Sequence, residues 1–250
     1  NVIMRYLTAR AALQELIKNY SELANESIEV KSKGLSIKES IGNPDRKDFP
    51  LLTGREVLVQ AELMGELGQA FTSDPIEFSG TIQEILQLSD DRVGNEALIV
   101  ATLNALARKV GIANHTVHCL NNEPEDCATK ISHYIWEMHG KCKVGIIGYQ
   151  PAILENCVKV YGTDNVAITD LNPDNIGQNR YGVKVLDGAV DTPYLVKWAD
   201  VFLITGTILA NGTGAEVLNL LNNKTVYFYG TTAAALAELN GFKRLCFMSK

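Results

Sequence analysis

The chain reads as an α/β protein in two parts: an N-terminal α+β region, then a doubly wound parallel sheet. Three observations predict this. From Lys143 onward, short apolar runs alternate with helical stretches, which is the pattern of βα units. Upstream, residues 56–72 alternate apolar and polar positions around Met64-Gly65, which is the pattern of a hairpin. The composition, 46% apolar and 21% charged, is that of a chain that builds an ordinary globular core. The change of period near residue 140 places two domains at 1–140 and 141–250.

Composition also excludes some function classes. A net charge of −6 argues against a general nucleic-acid binder, which needs a basic face to neutralise phosphates. The longest apolar runs, such as Val201–Ile204, fall far short of the ~20 residues of a membrane span. No secretory signal is visible, although a start at Asn1 leaves a removed leader open. Five scattered cysteines do not form a disulfide framework, so the expected compartment is the reducing cytoplasm.

Met4 to Leu23 is the first expected helix. Its apolar stripe runs through Leu7, Ala11, Leu16, Ile17, Tyr20 and Leu23, with Leu13 offset from it. Ser27 to Lys31 alternates as a strand. Gly34 to Thr53 is turn-rich, with a strong turn at Gly42-Asn43-Pro44-Asp45 and a solvated charge cluster at Arg46, Lys47 and Asp48. In residues 56–72 propensity favours helix, but Gly65 and Gly68 would cost a helix ~1 kcal/mol each. The alternation of Val57, Val59, Ala61 and Leu63 favours strands at 56–63 and 66–72, which complete a three-stranded antiparallel meander with 27–31. Three helices follow, one opening at Ser79 or Thr81, one from Asn95 to Val110, and one from Glu125 to His139. Asn104 lies within the second, as a core amide or one that orients a ligand.

Between the last two helices lies HTVHCLNNEPEDCA. His115, His118, Cys119 and Cys127 are soft or borderline ligands of the kind that hold zinc or copper. The spacing H-x2-H-C-x7-C matches no zinc-finger pattern, and a loop with buried Cys119 and helix-borne Cys127 explains it as well. His118, Cys119 and Cys127 are the candidate metal set, and a transition metal is the cofactor they would take.

In the C-terminal half, strands are expected at Val144–Ile147, Val166–Thr169, Val201–Ile204, Thr225–Tyr229 and Leu245–Phe247. Helices are expected near Pro151–Tyr161, Pro193–Trp198, Thr213–Leu221 and Thr232–Leu239. The loops after these strands are polar or glycine-rich: Gly148-Tyr149-Gln150-Pro151, Asp170-Leu171-Asn172-Pro173, Thr205-Gly206-Thr207 and Gly230-Thr231-Thr232. In a doubly wound sheet such loops converge at one edge, where ligands bind. The third loop continues to Asn211-Gly212-Thr213, with Thr213 and Glu216 at capping-box spacing. Its glycines would let a ligand approach the backbone.

A dinucleotide site is only half supported. Asp170 ends the second strand where a ribose-binding acid would sit, but Pro151 stands where the fingerprint has its third glycine. No nucleophile–base pair is expected. Apart from Cys157, no cysteine is placed near the loops, and no histidine follows His139.

The stretches IIGYQP, ITDLNP, ADVFLITGTILANGT and YFYGTT resemble the family named for putative heavy-metal chelation. GQAFT, EFSGT, ATLNAL and TVHCLNNEPEDCA share in the resemblance, which runs from about Gly54 to the C-terminus. It implies an N-terminal domain similar to that of enolase, a Rossmann-like C-terminal domain, and a site in the cleft between them. The positions implied are Asn104, Gly148, Pro151, Asp170, Asn172, Thr205 to Thr207, Asn211 to Thr213 and Gly230 to Thr232. Tyr149 is added from the loop reading. The expected function is binding of a small anionic molecule or metal chelate in that cleft. One alternative is an enzyme acting on a nucleotide-like or metallocofactor-related substrate, with Asp170 as acid or base. Another is a metal-handling protein using His118, Cys119 and Cys127. The expected partner is thus a small-molecule or metal-chelate ligand, without nucleic acid or membrane, and a homodimer is the general prior.

Overall fold

The computed structural model describes residues 7–32, 57–118, 123–210 and 214–250. Thr8 caps the first helix, α1 (Ala9–Asn19), by accepting from the Ala11 N–H. Its buried face is Ala9, Ala12, Leu13, Leu16 and Ile17, so Leu13 lies at the centre of the stripe rather than beside it. A 3₁₀ turn at Ser21–Leu23 leads into strand β1 (Ser27–Lys31).

The hairpin forms as its alternation predicts, with β2 (Val57–Leu63) and β3 (Glu66–Thr72) in register from Leu63↔Glu66 to Val57↔Thr72. Met64 and Gly65 both take positive φ (50° and 84°), as a two-residue turn matched to the strand twist requires. The sheet has a fourth strand, β4 (Phe78–Thr81), antiparallel to β1, giving the order β3-β2-β1-β4. The three-stranded expectation missed it because β4 has only four residues and runs directly into a helix. Thr81 is both its last residue and the N-cap of α2 (Ile82–Ile85).

Helix α3 (Val93–Lys109) is buried along almost its whole length, from Gly94 to Ala107. A helix apolar on every side must be enclosed. Here one core cluster joins α1, the first sheet and α3 to Phe202, Ile204, Phe228, Ala233, Ala235, Leu236 and Ala237 of the C-terminal half. Gly68 makes this close packing possible, since a Cβ there would lie 2.2 Å from the Ala105 backbone nitrogen.

Helix α4 (Glu123–His139) precedes the second sheet. That sheet contains β5 (Val144–Ile147), β6 (Val166–Asp170), β7 (Asn179–Arg180), β8 (Val183–Asp187), β9 (Val201–Thr205), β10 (Thr225–Tyr229) and β11 (Lys243–Arg244). Its order is β11-β10-β9-β5-β6-β8-β7, parallel except for the short β7 at one edge. The parallel strands follow the Rossmann order: the chain steps from β5 outward through β6 to β8, then returns to the other side of β5. The sheet is thus mixed where a wholly parallel one was expected, because β7 and β8 form a hairpin that sequence periodicity did not reveal. The last strand is Lys243–Arg244 instead of Leu245–Phe247, although the Leu245 N–H still donates to the Phe228 carbonyl at 2.7 Å.

Strand alternation separates the two faces. Phe202, Ile204 and Phe228 belong to the cluster shared with the first sheet. Val201, Leu203, Tyr227 and Tyr229 belong to a second cluster with Ile131, Ile135 and Leu154 of α4 and α5 (Pro151–Tyr161). The connections between the later strands are α6 (Thr192–Trp198), α7 (Thr207–Ala210), α8 (Gly214–Leu220) and α9 (Ala234–Leu239). Among the described residues, no helix is long and apolar enough to cross a membrane.

Candidate functional site

The switch in strand order falls between β5 and β9, whose paired ends, Ile147↔Ile204, set Gly148 beside Thr205. A cavity of about 170 Å³ opens there, reached by the loops after β5, β9 and β10 and by Asp170 at the end of β6. An apolar cavity of ~150 Å³ holds a benzene ring, so this one has room for a small molecule or part of a larger one.

The first loop is held by its neighbours. The Gly148 N–H donates to the Thr169 carbonyl at 2.9 Å, and the Tyr229 hydroxyl donates to the Gly148 carbonyl at 3.0 Å. Gln150 then N-caps α5 by accepting from Ile153, and Pro151 is the first helical residue. A proline suits that position because its missing N–H would be unpaired anyway. Asp170 acts as a strut. Its Oδ1 accepts the Tyr149 N–H at 3.2 Å and its Oδ2 accepts the Asn175 amide at 2.8 Å.

The expected glycines serve the packing of loops on each other. Gly148 has φ +98°, and a Cβ on it would sit 2.3 Å from Cγ2 of Thr205. Gly206 makes room for Ala233, whose Cβ would lie 2.4 Å from an added one. These two glycines thus admit the adjacent loop, and both line the cavity.

The threonines divide by role. Thr205 and Thr207 hydroxyls lie 3.2 Å apart on the cavity wall. Thr232 accepts the Phe71 N–H at 3.2 Å and so ties the first sheet to the second. Thr231 also lines the cavity and is 1% exposed; its hydroxyl is enclosed, with no hydrogen-bond partner among the described residues. Asn104 is a fully buried clamp, set back from the wall. Its amide donates to the carbonyls of Gln69, Thr231 and Thr232 at 3.0, 3.3 and 3.3 Å, and its oxygen accepts from the Ala235 N–H at 2.9 Å. Asn172 likewise serves a turn, accepting the Asp174 N–H at 3.0 Å. Asn211, Gly212, Thr213 and Cys119 lie outside the described residues, as do the turn at 42–45 and the charge cluster at 46–48.

Sulfur and imidazole also reach the cavity. His118 and Cys127 both line it, with His118 edge-on to Phe71 at 5.3 Å between ring centroids. Among the described residues, no group of three or more His, Cys, Asp or Glu is arranged to hold a metal ion. The expectation that no cysteine but Cys157 lies near the loops is overturned. Cys157 is buried within α5, whereas Cys127 and Cys246 stand on the wall.

Cys246 arrives there because the C-terminal segment folds back. Val117 and Lys250 exchange backbone hydrogen bonds at 2.7 and 3.0 Å, setting His118 and Cys246 at the same end of the sheet. The Cys127 thiol hydrogen-bonds to the Cys246 sulfur, and this contact does most to lower the Cys246 pKa below the thiol range. Burial opposes the shift, while the Arg244 guanidinium and the Gly230 N–H reinforce it. Arg244 is itself fixed by donating to the carbonyls of Asn114 and His115 at 2.7 and 3.1 Å. Sequence reasoning missed Cys246, Arg244 and Phe71. Reading Leu245–Phe247 as the last strand put Cys246 inside a strand instead of in the segment after one.

No curated protein matches the chain. Two solved structures share its fold. A protein of unknown function from Pyrococcus horikoshii aligns with a TM-score of 0.54 at 16% identity, covering 89% of this chain and 80% of its own. A second, from Desulfitobacterium hafniense, aligns with a TM-score of 0.50 at 12% identity, covering 92% and 84%. Both come from one family, and residues 134–243 of this chain match that family's model, described as "Putative heavy-metal chelation". The matched stretch holds α5 and the strands β5 to β10, and with them the strand-end loops that line the cavity.

Proposed function

We propose that the protein binds a small anionic molecule, or a metal ion carried by one, in the cavity between the two sheets. The observation that carries this reading is the pair of Thr205 and Thr207 hydroxyls, 3.2 Å apart on the wall of a cavity ringed by strand-end loops. Asp170 keeps the Tyr149 loop in place beside them. The family's description, heavy-metal chelation, fits an anionic chelate as the guest.

The test is a thermal-shift screen with phosphate, citrate and ferric citrate, followed by titration of any hit. Thr205→Ala and Thr207→Ala are each expected to weaken the hit's affinity by about tenfold, the loss of one good hydrogen bond to a charged group. The melting temperature of the unliganded variants should change little. An equal fall in stability and in affinity would make these residues structural and sink the reading.

A further inference from the structure

Two sulfurs far apart in the chain meet on one wall of the cavity. Cys127 comes from the second turn of α4, and Cys246 from the segment after β11. Each is anchored independently. Cys127 is buried among Ala128, Ile131 and the rest of the second core cluster. Cys246 is held through the Leu245 N–H on the Phe228 carbonyl and the Ser249 hydroxyl on its own carbonyl at 3.1 Å.

We propose that Cys127 and Cys246 form a two-sulfur site for a soft, thiophilic monovalent cation of the Cu(I) class, open to the cleft. The inference deepens the cleft-binding reading and rests on it, but it uses the sulfur donors rather than the threonine hydroxyls.

The donor set selects the ion. Thiolate favours soft cations. A structural zinc site needs four protein ligands, and no such cluster exists among the described residues. A monovalent d10 ion is satisfied by two sulfurs. The charges also balance. One cation on two thiolates leaves a single negative charge, which the Arg244 guanidinium beside Cys246 neutralises. The proton of the Cys127 thiol leaves to solvent as the ion binds. The Gly230 N–H and Arg244 point hydrogen bonds at the Cys246 sulfur, the kind of outer support that orients a metal-bound thiolate. The cavity gives the ion its path, and the His118 imidazole lines the same space.

The test is anaerobic competition for Cu(I) between the protein, kept reduced with a phosphine, and bicinchoninate. The wild type is expected to withhold one equivalent, with an ultraviolet sulfur-to-metal charge-transfer band. Cys127→Ser and Cys246→Ser should each weaken binding by about 100-fold or more, and Cys142→Ser should leave it unchanged. No withheld equivalent in the wild type, or full retention in both cavity variants, overturns the proposal. Should a variant fail to fold, the wild type alone decides. Cu(I) must shield Cys127 and Cys246 from N-ethylmaleimide, read by peptide mass spectrometry, and equal labelling with and without the ion refutes the site. Anion titrations on the same wild-type samples separate the two readings. Anion binding without Cu(I) binding removes only the sulfur site, and Cu(I) binding without anion binding removes only the anion reading.

Discussion

The two ends of the C-terminal sheet each hold a pair of cysteines, and the pairs behave in opposite ways. At the carboxyl end, Cys127 and Cys246 face a cavity, and Cys246 is pulled toward the thiolate by the Cys127 thiol and the Arg244 guanidinium. At the amino end, Cys142 lies just before β5 and Cys157 is packed inside α5. Burial pushes Cys157 up to about 12 and also raises Cys142, with the Asp200 carboxylate adding to the latter shift. The residue type is the same, and the sheet is the same. What differs is whether a cation and several hydrogen-bond donors together outweigh the burial; at Cys142 the Tyr161 hydrogen bond alone does not.

The largest expected effect follows directly. Iodoacetamide at neutral pH should alkylate Cys246 on the order of 10³-fold or more faster than Cys157 in the folded, metal-free protein, because the thiolate is the nucleophile. Peptide mass spectrometry reads the ratio, and comparable rates would erase the contrast. The same difference fixes two opposite pH dependences. The raised pKa of Cys157 contributes stability that is present below the unfolded thiol value of ~8.5 and is lost as pH rises toward about 12. The lowered pKa of Cys246 contributes stability present above that unfolded value and lost as pH falls through the folded one. Acid should therefore weaken the cavity end and alkali the packed end, which melts of Cys246→Ser and Cys157→Ala across pH would reveal.

A smaller effect concerns what holds the cavity end together. Asn104→Leu leaves the carbonyls of Gln69, Thr231 and Thr232 and the Ala235 N–H without that amide, and should cost about 3 kcal/mol. Amide exchange should quicken at residues 231–235 while β5, next to Cys142, stays protected. Uniform loss of protection would show that the two ends do not differ in this way.

The smallest effect is a gain. Thr231→Val removes an unpartnered buried hydroxyl at nearly constant shape, so the unliganded protein should gain up to about 1 kcal/mol in denaturant unfolding. A loss of stability would mean that the hydroxyl is already satisfied.

Local pattern made much of this legible. The hairpin was readable because alternation at 57–63 contradicts its helical propensity, and Met64-Gly65 supplies the positive φ its turn needs. The convergence of the strand-end loops followed from the βα alternation, and Asp170, Thr205, Thr207 and Thr231 do line one cavity. The roles of Asn104, Asn172 and Pro151 were not legible. An amide or a proline in a loop or helix has the same appearance in sequence whether it meets a ligand or caps a neighbouring backbone.

The sequence by itself determined the classes of element and their order, because periods of two and of three to four residues are local properties that side-chain burial enforces. It also determined the side of the second sheet on which polar loops gather. Only the tertiary structure decided that β4 completes the first sheet, that Gly206 yields its space to Ala233, and that Cys246 meets Cys127. Those outcomes depend on contacts between segments remote in the chain. The pairing of Val117 with Lys250 is such a contact, and no local periodicity encodes which remote partner a segment will find.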